Sequence, residues 1–228
     1  MLPSCLAGLA AAADDQLNAE SEAVMLEGFS IDRTEVAVGQ FRRFAEAVGL
    51  VTKAEDEGGG YEYVAGWVQR AGWTWSSPYG KPADVNEPAV HVTWDEARRY
   101  CESAGGRLPT FEEWRRAAYL EMRAQPTDGF IRGKRYPYPV GDSPEGMNTS
   151  ENRMWARHAP VRSTRVGVNG LYDMGANVWE WLADVRGDEA LTAGGSWWYG
   201  PYKTREDGAQ YKLRDFTAVY IGFRCAYD

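Results

Sequence analysis

Between Asp173 and Asp207 the chain gathers most of the side chains that could do chemistry. Asp173 and Glu180 bracket Met-Gly-Ala-Asn-Val-Trp, so a carboxylate stands at each end of a segment whose Gly175 and Ala176 favour turning. Such a loop can direct backbone carbonyls inward beside two carboxylates, a hard-oxygen set that suits calcium. The plainer reading pairs Glu180 with an arginine such as Arg107 or Arg224 in a core network, and both stay open. Further on, Trp179, Ser196, Trp197 and Tyr202 have the character of cavity walls for an aromatic or peptide-like small molecule. Tyr199, Arg205 and Glu206 are the groups nearest in sequence that could move a proton or hold a charge there, and thus the candidate catalytic residues. Against this stands a bland alternative, in which the tryptophans are core and residues 203–207 form a solvated loop.

The elements that would position these groups can be read from pattern. Phe29-Ser-Ile-Asp32 alternates as a short strand. Val38, Phe41, Phe44, Ala45 and Val48 recur at helical spacing, and Gly49 can stop that helix in a left-handed conformation. Thr93 with Glu96, and Thr110 with Glu113, are capping boxes that open two short amphipathic helices, with Trp94, Ala97, Tyr100 and Cys101 facing inward on the first. Residues 54–89 hold Gly, Pro and aromatic residues without period, which predicts a long structured loop. Strands are expected near 192–198 and 220–227.

At 228 residues one domain with a sizeable core is the default. The net charge of -8 argues against nucleic-acid partners, which need a basic face. No run is long and apolar enough for a membrane span. Ten tryptophans and 25 glycines point to a fold of turns and loops filled by large rings. Residues 1–24 read as a leader remnant or tail: Ala11-Ala-Ala13 precedes Asp14-Asp15 like a cleavage site, although no Lys or Arg comes before it. This predicts export to the periplasm, a domain over residues 25–228, and Cys5 as part of the leader.

Several segments, in order, carry a resemblance: Phe29-Ser-Ile-Asp-Arg-Thr-Glu35, Val92-Thr-Trp-Asp-Glu-Ala97, Gly106-Arg-Leu-Pro-Thr110, Tyr136-Pro-Tyr-Pro-Val-Gly141, Asp173 to Trp181, Gly194-Gly-Ser-Trp197 and Ile221-Gly-Phe-Arg-Cys225. Together they resemble the formylglycine-generating-enzyme, or sulfatase-modifying factor, family over about residues 25–228. The resemblance implies a single α+β domain related to the C-type lectin fold, with little regular structure. It implies a disulfide between Cys101 and Cys225, positions at which family members pair cysteines. It also implies a structural calcium ion on Asp173, Glu180 and the carbonyls of Ala176 and Val178.

The resemblance breaks at the chemistry. The name-giving enzymes hold copper through two cysteines, and Tyr199 and Thr204 occupy those positions here. A phenol and a hydroxyl do not replace two soft thiolates, so no copper-cysteine site is expected. With His91 and His158 alone, a three-histidine iron site is excluded as well, and the redox cofactor is unknown. The cysteine-less frame is similar to a bacterial branch that includes the periplasmic pyoverdine-maturation proteins of pseudomonads. That implies oxidative tailoring of a siderophore chromophore, alongside other periplasmic maturation enzymes. A non-catalytic lectin-like binding module and a scaffold subunit are the rival readings.

Overall fold

The computed structural model describes residues 22–228. Strand β1 (Ala23–Leu26) turns at Gly28, whose φ of 94° suits glycine, into β2 (Phe29–Asp32). The domain therefore starts before residue 25, because β1 pairs along its whole length with β2. Cys5 and nearly all of the expected leader lie outside the described residues.

Helix α1 (Val38–Val48) buries Val38, Phe41, Phe44 and Ala45 and ends at Gly49 with φ 63°, as its spacing predicts, while Val48 at its last turn is exposed. A one-turn helix α2 (Lys53–Asp56) then leads into a hairpin, β3 (Tyr61–Tyr63) with β4 (Trp67–Gln69), inside the stretch expected to be loop. Both capping boxes form. Thr93 accepts from the Glu96 N–H at the start of α3 (Trp94–Ser103), and Thr110 accepts from that of Glu113 at the start of α4 (Phe111–Tyr119).

The long loop after α4 has a single 3-10 turn before the central sheet. That sheet orders β7 (Gln210–Leu213), β6 (Glu189–Ala193), β5 (Trp179–Arg186) and β8 (Ile221–Gly222), with β5 and β8 parallel. A second sheet orders β1, β2 and β9 (Ala226–Tyr227). The expected strand near 192–198 stops at Ala193, because Gly194 and Gly195 take φ of 92° and 74° and turn the chain out of the ladder. The eight-residue β5 escapes its own pattern: Trp179 to Leu182 are all buried, so no alternation marks it.

A disulfide joins Cys101 on α3 to Cys225 before β9, with Cα atoms 5.4 Å apart. Two apolar clusters flank the sheet, one around Trp179, Trp181 and Phe223, the other around Trp114, Tyr119 and Leu182. No helix among the described residues is long and apolar enough to cross a membrane.

Candidate functional site

The chain around β5 places two different sites back to back. On one side lies a buried charge network. Arg224 donates from Nε and Nη2 to the two oxygens of Glu180, at 2.8 and 2.7 Å, and Trp114 Nε1 adds a bond of 2.7 Å to Oε2. The pair is fully buried, so Glu180 belongs to the core network that was the plainer reading. Arg107 is elsewhere, bridging Glu113 and Asp228. Asp173 accepts from the Arg162 N–H and the Thr164 hydroxyl, and Glu35 accepts from Asn177 and the Val178 N–H.

Burial, followed by its neighbour Asp173, pushes Glu35 well above the usual carboxylate range. Burial raises Asp173 too. Three buried carboxylates thus face one guanidinium, and if all ionise the network carries an uncompensated charge of about minus two. Asp173, Ala176 and Asn177 also hold φ of 59°, 68° and 46°, a strained backbone run. A divalent cation would offset that charge. Three of the four lone-pair positions of Glu180 are taken, which leaves one on Oε1 for an ion. Among the described residues no three His, Cys, Asp or Glu side chains converge, so such an ion would depend on the Ala176 and Val178 carbonyls.

On the other side of β5 is a cavity of 360 Å³ walled by the rings of Trp67, Trp179, Tyr199, Tyr211, Phe216 and Tyr220. Tyr199 stands edge-on to Trp179 with centroids 5.7 Å apart, and Trp67 stands edge-on to Phe216 at 4.7 Å. Lys212 enters from β7 and places Nζ 4.0 Å over the Trp179 ring. Its one hydrogen bond is long, 3.4 Å to the Gln210 amide oxygen, and no carboxylate pairs with it among the described residues. Loss of water, then the nearby Lys203 charge, lowers its pKa from 10.5 to about 7. Burial raises the Tyr199 phenol, which stays protonated at neutral pH.

The candidate residues from sequence do not share one site. Trp179 and Tyr199 line the cavity. Trp197 lies in a neighbouring hollow with Trp155, Trp198 and Arg153, joined to the cavity through Tyr220, whose ring is 5.4 Å from that of Trp197. Ser196 is fully buried, and its Oγ, like Nε1 of both Trp179 and Trp197, has no hydrogen-bond partner. Tyr202 is exposed and lines none of these hollows.

Arg205 and Glu206 need correcting. They line a separate hollow with Tyr119 and Arg135, where Glu206 pairs with Arg115 at 2.8 Å and Arg135 at 3.0 Å. The 3-10 turns Pro201–Thr204 and Glu206–Gly208 carry them away from the aromatic rings. Sequence reasoning missed Lys212, Tyr220, Phe216 and Trp67. The signal for Lys212 was a period of two in Gln210-Tyr-Lys-Leu213, visible only once that segment is taken as a strand.

Thr204 is buried, and its hydroxyl donates to the Pro201 carbonyl while Tyr199 packs on Trp179. The described cysteines are both in the disulfide. Among the described residues no thiolate is left for Cu(I), so these residues do not fit the copper of the formylglycine-generating enzymes.

The profile of the sulfatase-modifying factor enzyme 1-like domain matches residues 5–228. The chain belongs to this family. Its relatives in the sulfatase-modifying factor family include the formylglycine-generating enzyme of Streptomyces coelicolor, 33% identical over 71% of this chain. This match spans 59% of that enzyme's length. The formylglycine-generating enzyme of Thermomonospora curvata is 32% identical over 90% of this chain and 84% of its own. A hercynine oxygenase of Mycobacterium tuberculosis is 27% identical over 95% of this chain and 57% of its own. Among solved structures, PvdO from Pseudomonas aeruginosa superposes with a TM-score of 0.64 at 21% identity, over 88% of this chain and 80% of that one. That likeness is one of fold: a single sulfatase-modifying-factor domain of mixed helix and strand.

Proposed function

We propose that this chain is an oxidative tailoring protein of its family that works on a phenolic ring in the cavity beside Trp179, and that it does not generate formylglycine. The observation that carries this reading is Lys212, an amine without a counter-ion among aromatic walls, in a chain that lacks the copper thiolates. The rings offer stacking surfaces to a planar ligand. In the cavity lining, the buried Trp179 Nε1 has no partner, which costs about 1–3 kcal/mol and which a ligand oxygen would relieve.

Lys212, largely neutral just above pH 7, takes the phenolic proton as a general base. The resulting phenolate, with its neighbouring hydroxyl, gives up two electrons and its second proton to dioxygen, the Lys212 ammonium returns the first proton, and a quinone and hydrogen peroxide leave. At the finest level, the substrate is the reduced catechol-like precursor of a pyoverdine-type chromophore, met in the periplasm beside other maturation enzymes. A calcium ion on Asp173, Glu180 and the Ala176 and Val178 carbonyls would balance the buried charge behind β5 and take no part in the redox step.

Mass spectrometry tests both halves. We expect conversion of a dihydro-chromophore with peroxide released, and no aldehyde on a sulfatase-motif peptide at any copper loading. General-base help of this kind contributes about 10²–10⁴ in rate, so Lys212→Met should cut turnover by at least tenfold, and Tyr199→Phe should weaken it less. Aldehyde formation on the peptide would overturn the reading. The exposed ring of Trp67 in the cavity wall favours a second one, a binding module. Saturable chromophore binding without product would select it.

A further inference from the structure

We propose that Lys212 is also a nucleophile, whose amine condenses with the carbonyl of an aromatic aldehyde or ketone held in the Trp67–Trp179–Tyr220 cavity to give a protein-bound imine. The inference rests on this cavity being the ligand site, as proposed above, and not on the oxidation. A lysine reacts with a carbonyl only as the free amine, and two devices free it: withdrawal from water and a neighbouring cation. Both act here. The Lys212 amine meets the Trp179 ring and the Gln210 amide, shares the cavity with the other rings already named and the aliphatic Leu213 and Ile221, and feels the charge of Lys203.

The other lysines differ. Lys53 is held by Asp215 and Lys134 by Asp142, each at 2.7 Å, and these partners raise their pKa values. Lys81 is exposed, and Lys203 lies 5.6 Å over the Tyr202 ring outside the cavity lining. An aromatic carbonyl compound is therefore concentrated by stacking at a lysine whose surroundings favour the free amine.

The step balances without an oxidant. The Lys212 nitrogen adds to the carbonyl carbon, and the nitrogen's proton passes to the new alkoxide to give a carbinolamine. Tyr199, on the same Trp179 ring and kept protonated by burial, donates to the departing hydroxyl. Water leaves, the C=N bond forms, and the remaining N–H proton returns to the phenolate.

The full-length protein would be incubated with 4-hydroxybenzaldehyde and sodium cyanoborohydride at about pH 7.5, then peptide-mapped. Lys212 should carry the reduced adduct, with roughly tenfold or greater preference over Lys81, and its labelling rate should rise through about pH 7, the value set by its surroundings. Lys212→Met should lose this adduct with an intact melt. Labels spread evenly over the lysines, or absent from Lys212, would overturn the inference. Binding of 4-hydroxybenzyl alcohol, which has the ring and no carbonyl, is followed in parallel by tryptophan fluorescence. If the alcohol binds and Lys212 stays unlabelled, the imine fails alone. If neither compound binds, the cavity's functional reading fails with it.

Discussion

Lys212 costs this protein stability, and the cost can be read as a pH dependence. Its folded pKa lies near 7 against 10.5 for a free lysine, so between those values the unfolded chain holds more protons than the folded one. Stability contributed at this position is lowest when the amine is protonated in both states, and it climbs as pH rises from about 7 to 10.5. Lys212→Met removes the titration and keeps much of the packing on Trp179. The variant should be more stable than the wild type at about pH 6, by roughly 1–2 kcal/mol once water at this half-buried side chain is allowed for. The gap should close as pH approaches 10.5. Parallel melting curves at a series of pH values check this, and a pH-independent gap would mean that the amine is solvated and charged throughout. The sequence offers only the period of two in residues 210–213 for such a group, because a lysine's worth depends on what surrounds it. The charged run Lys203 to Asp207 drew attention instead, and ion pairs to Arg115 and Arg135 hold Glu206 outside the cavity.

At the scale of elements, β5 is the divider: its residues contribute Trp179 to the cavity and Glu180 to the charge network behind it. Removing one partner of a buried pair strands the other. Glu180→Gln leaves Arg224 without its bidentate carboxylate and should destabilise by roughly 3–5 kcal/mol, measured by urea unfolding. If the loop also binds calcium, the ion should raise the melting temperature of the wild type, a chelator should reverse the rise, and Glu180→Gln should abolish it. A wild-type melt insensitive to both calcium and chelator, with Glu180→Gln still unstable, would leave the arginine pair as the whole role of Glu180. The start signals of α3 and α4 were legible because capping is local chemistry, with Thr and Glu three residues apart. The central sheet was far less legible. β5 is buried on both faces and so lacks alternation, β8 is two residues long, and Gly194-Gly195 ends a segment that reads as strand. In each case a non-local partner decides the conformation.

Across the whole molecule, regular elements are short and most of the chain is loop, so the question is what keeps long connections in place. Rings do part of this, with Phe41 meeting Trp75, Tyr100 and Phe223 at 5.3 to 6.2 Å. The Cys101–Cys225 bond does another part. It spans a sequence separation of 124, so it ties α3 to the C-terminal segment and encloses the helix α4, Glu180 and Arg224 of the charge network, and Trp179 and Lys212 of the cavity. Closing so long a loop in the unfolded chain removes entropy equivalent to about 4–5 kcal/mol. Cys101→Ser with Cys225→Ser should therefore lower unfolding free energy by up to that amount, and a reductant should lower the wild-type melt to match while leaving the double variant unmoved. Both sulfurs are fully buried, so reduction should be slow in the native state and fast once the chain opens. If exported material instead shows both thiols free to alkylation, the rings and the Glu180–Arg224 pair hold the fold without a covalent tie, and reductant will leave the wild-type melt unchanged.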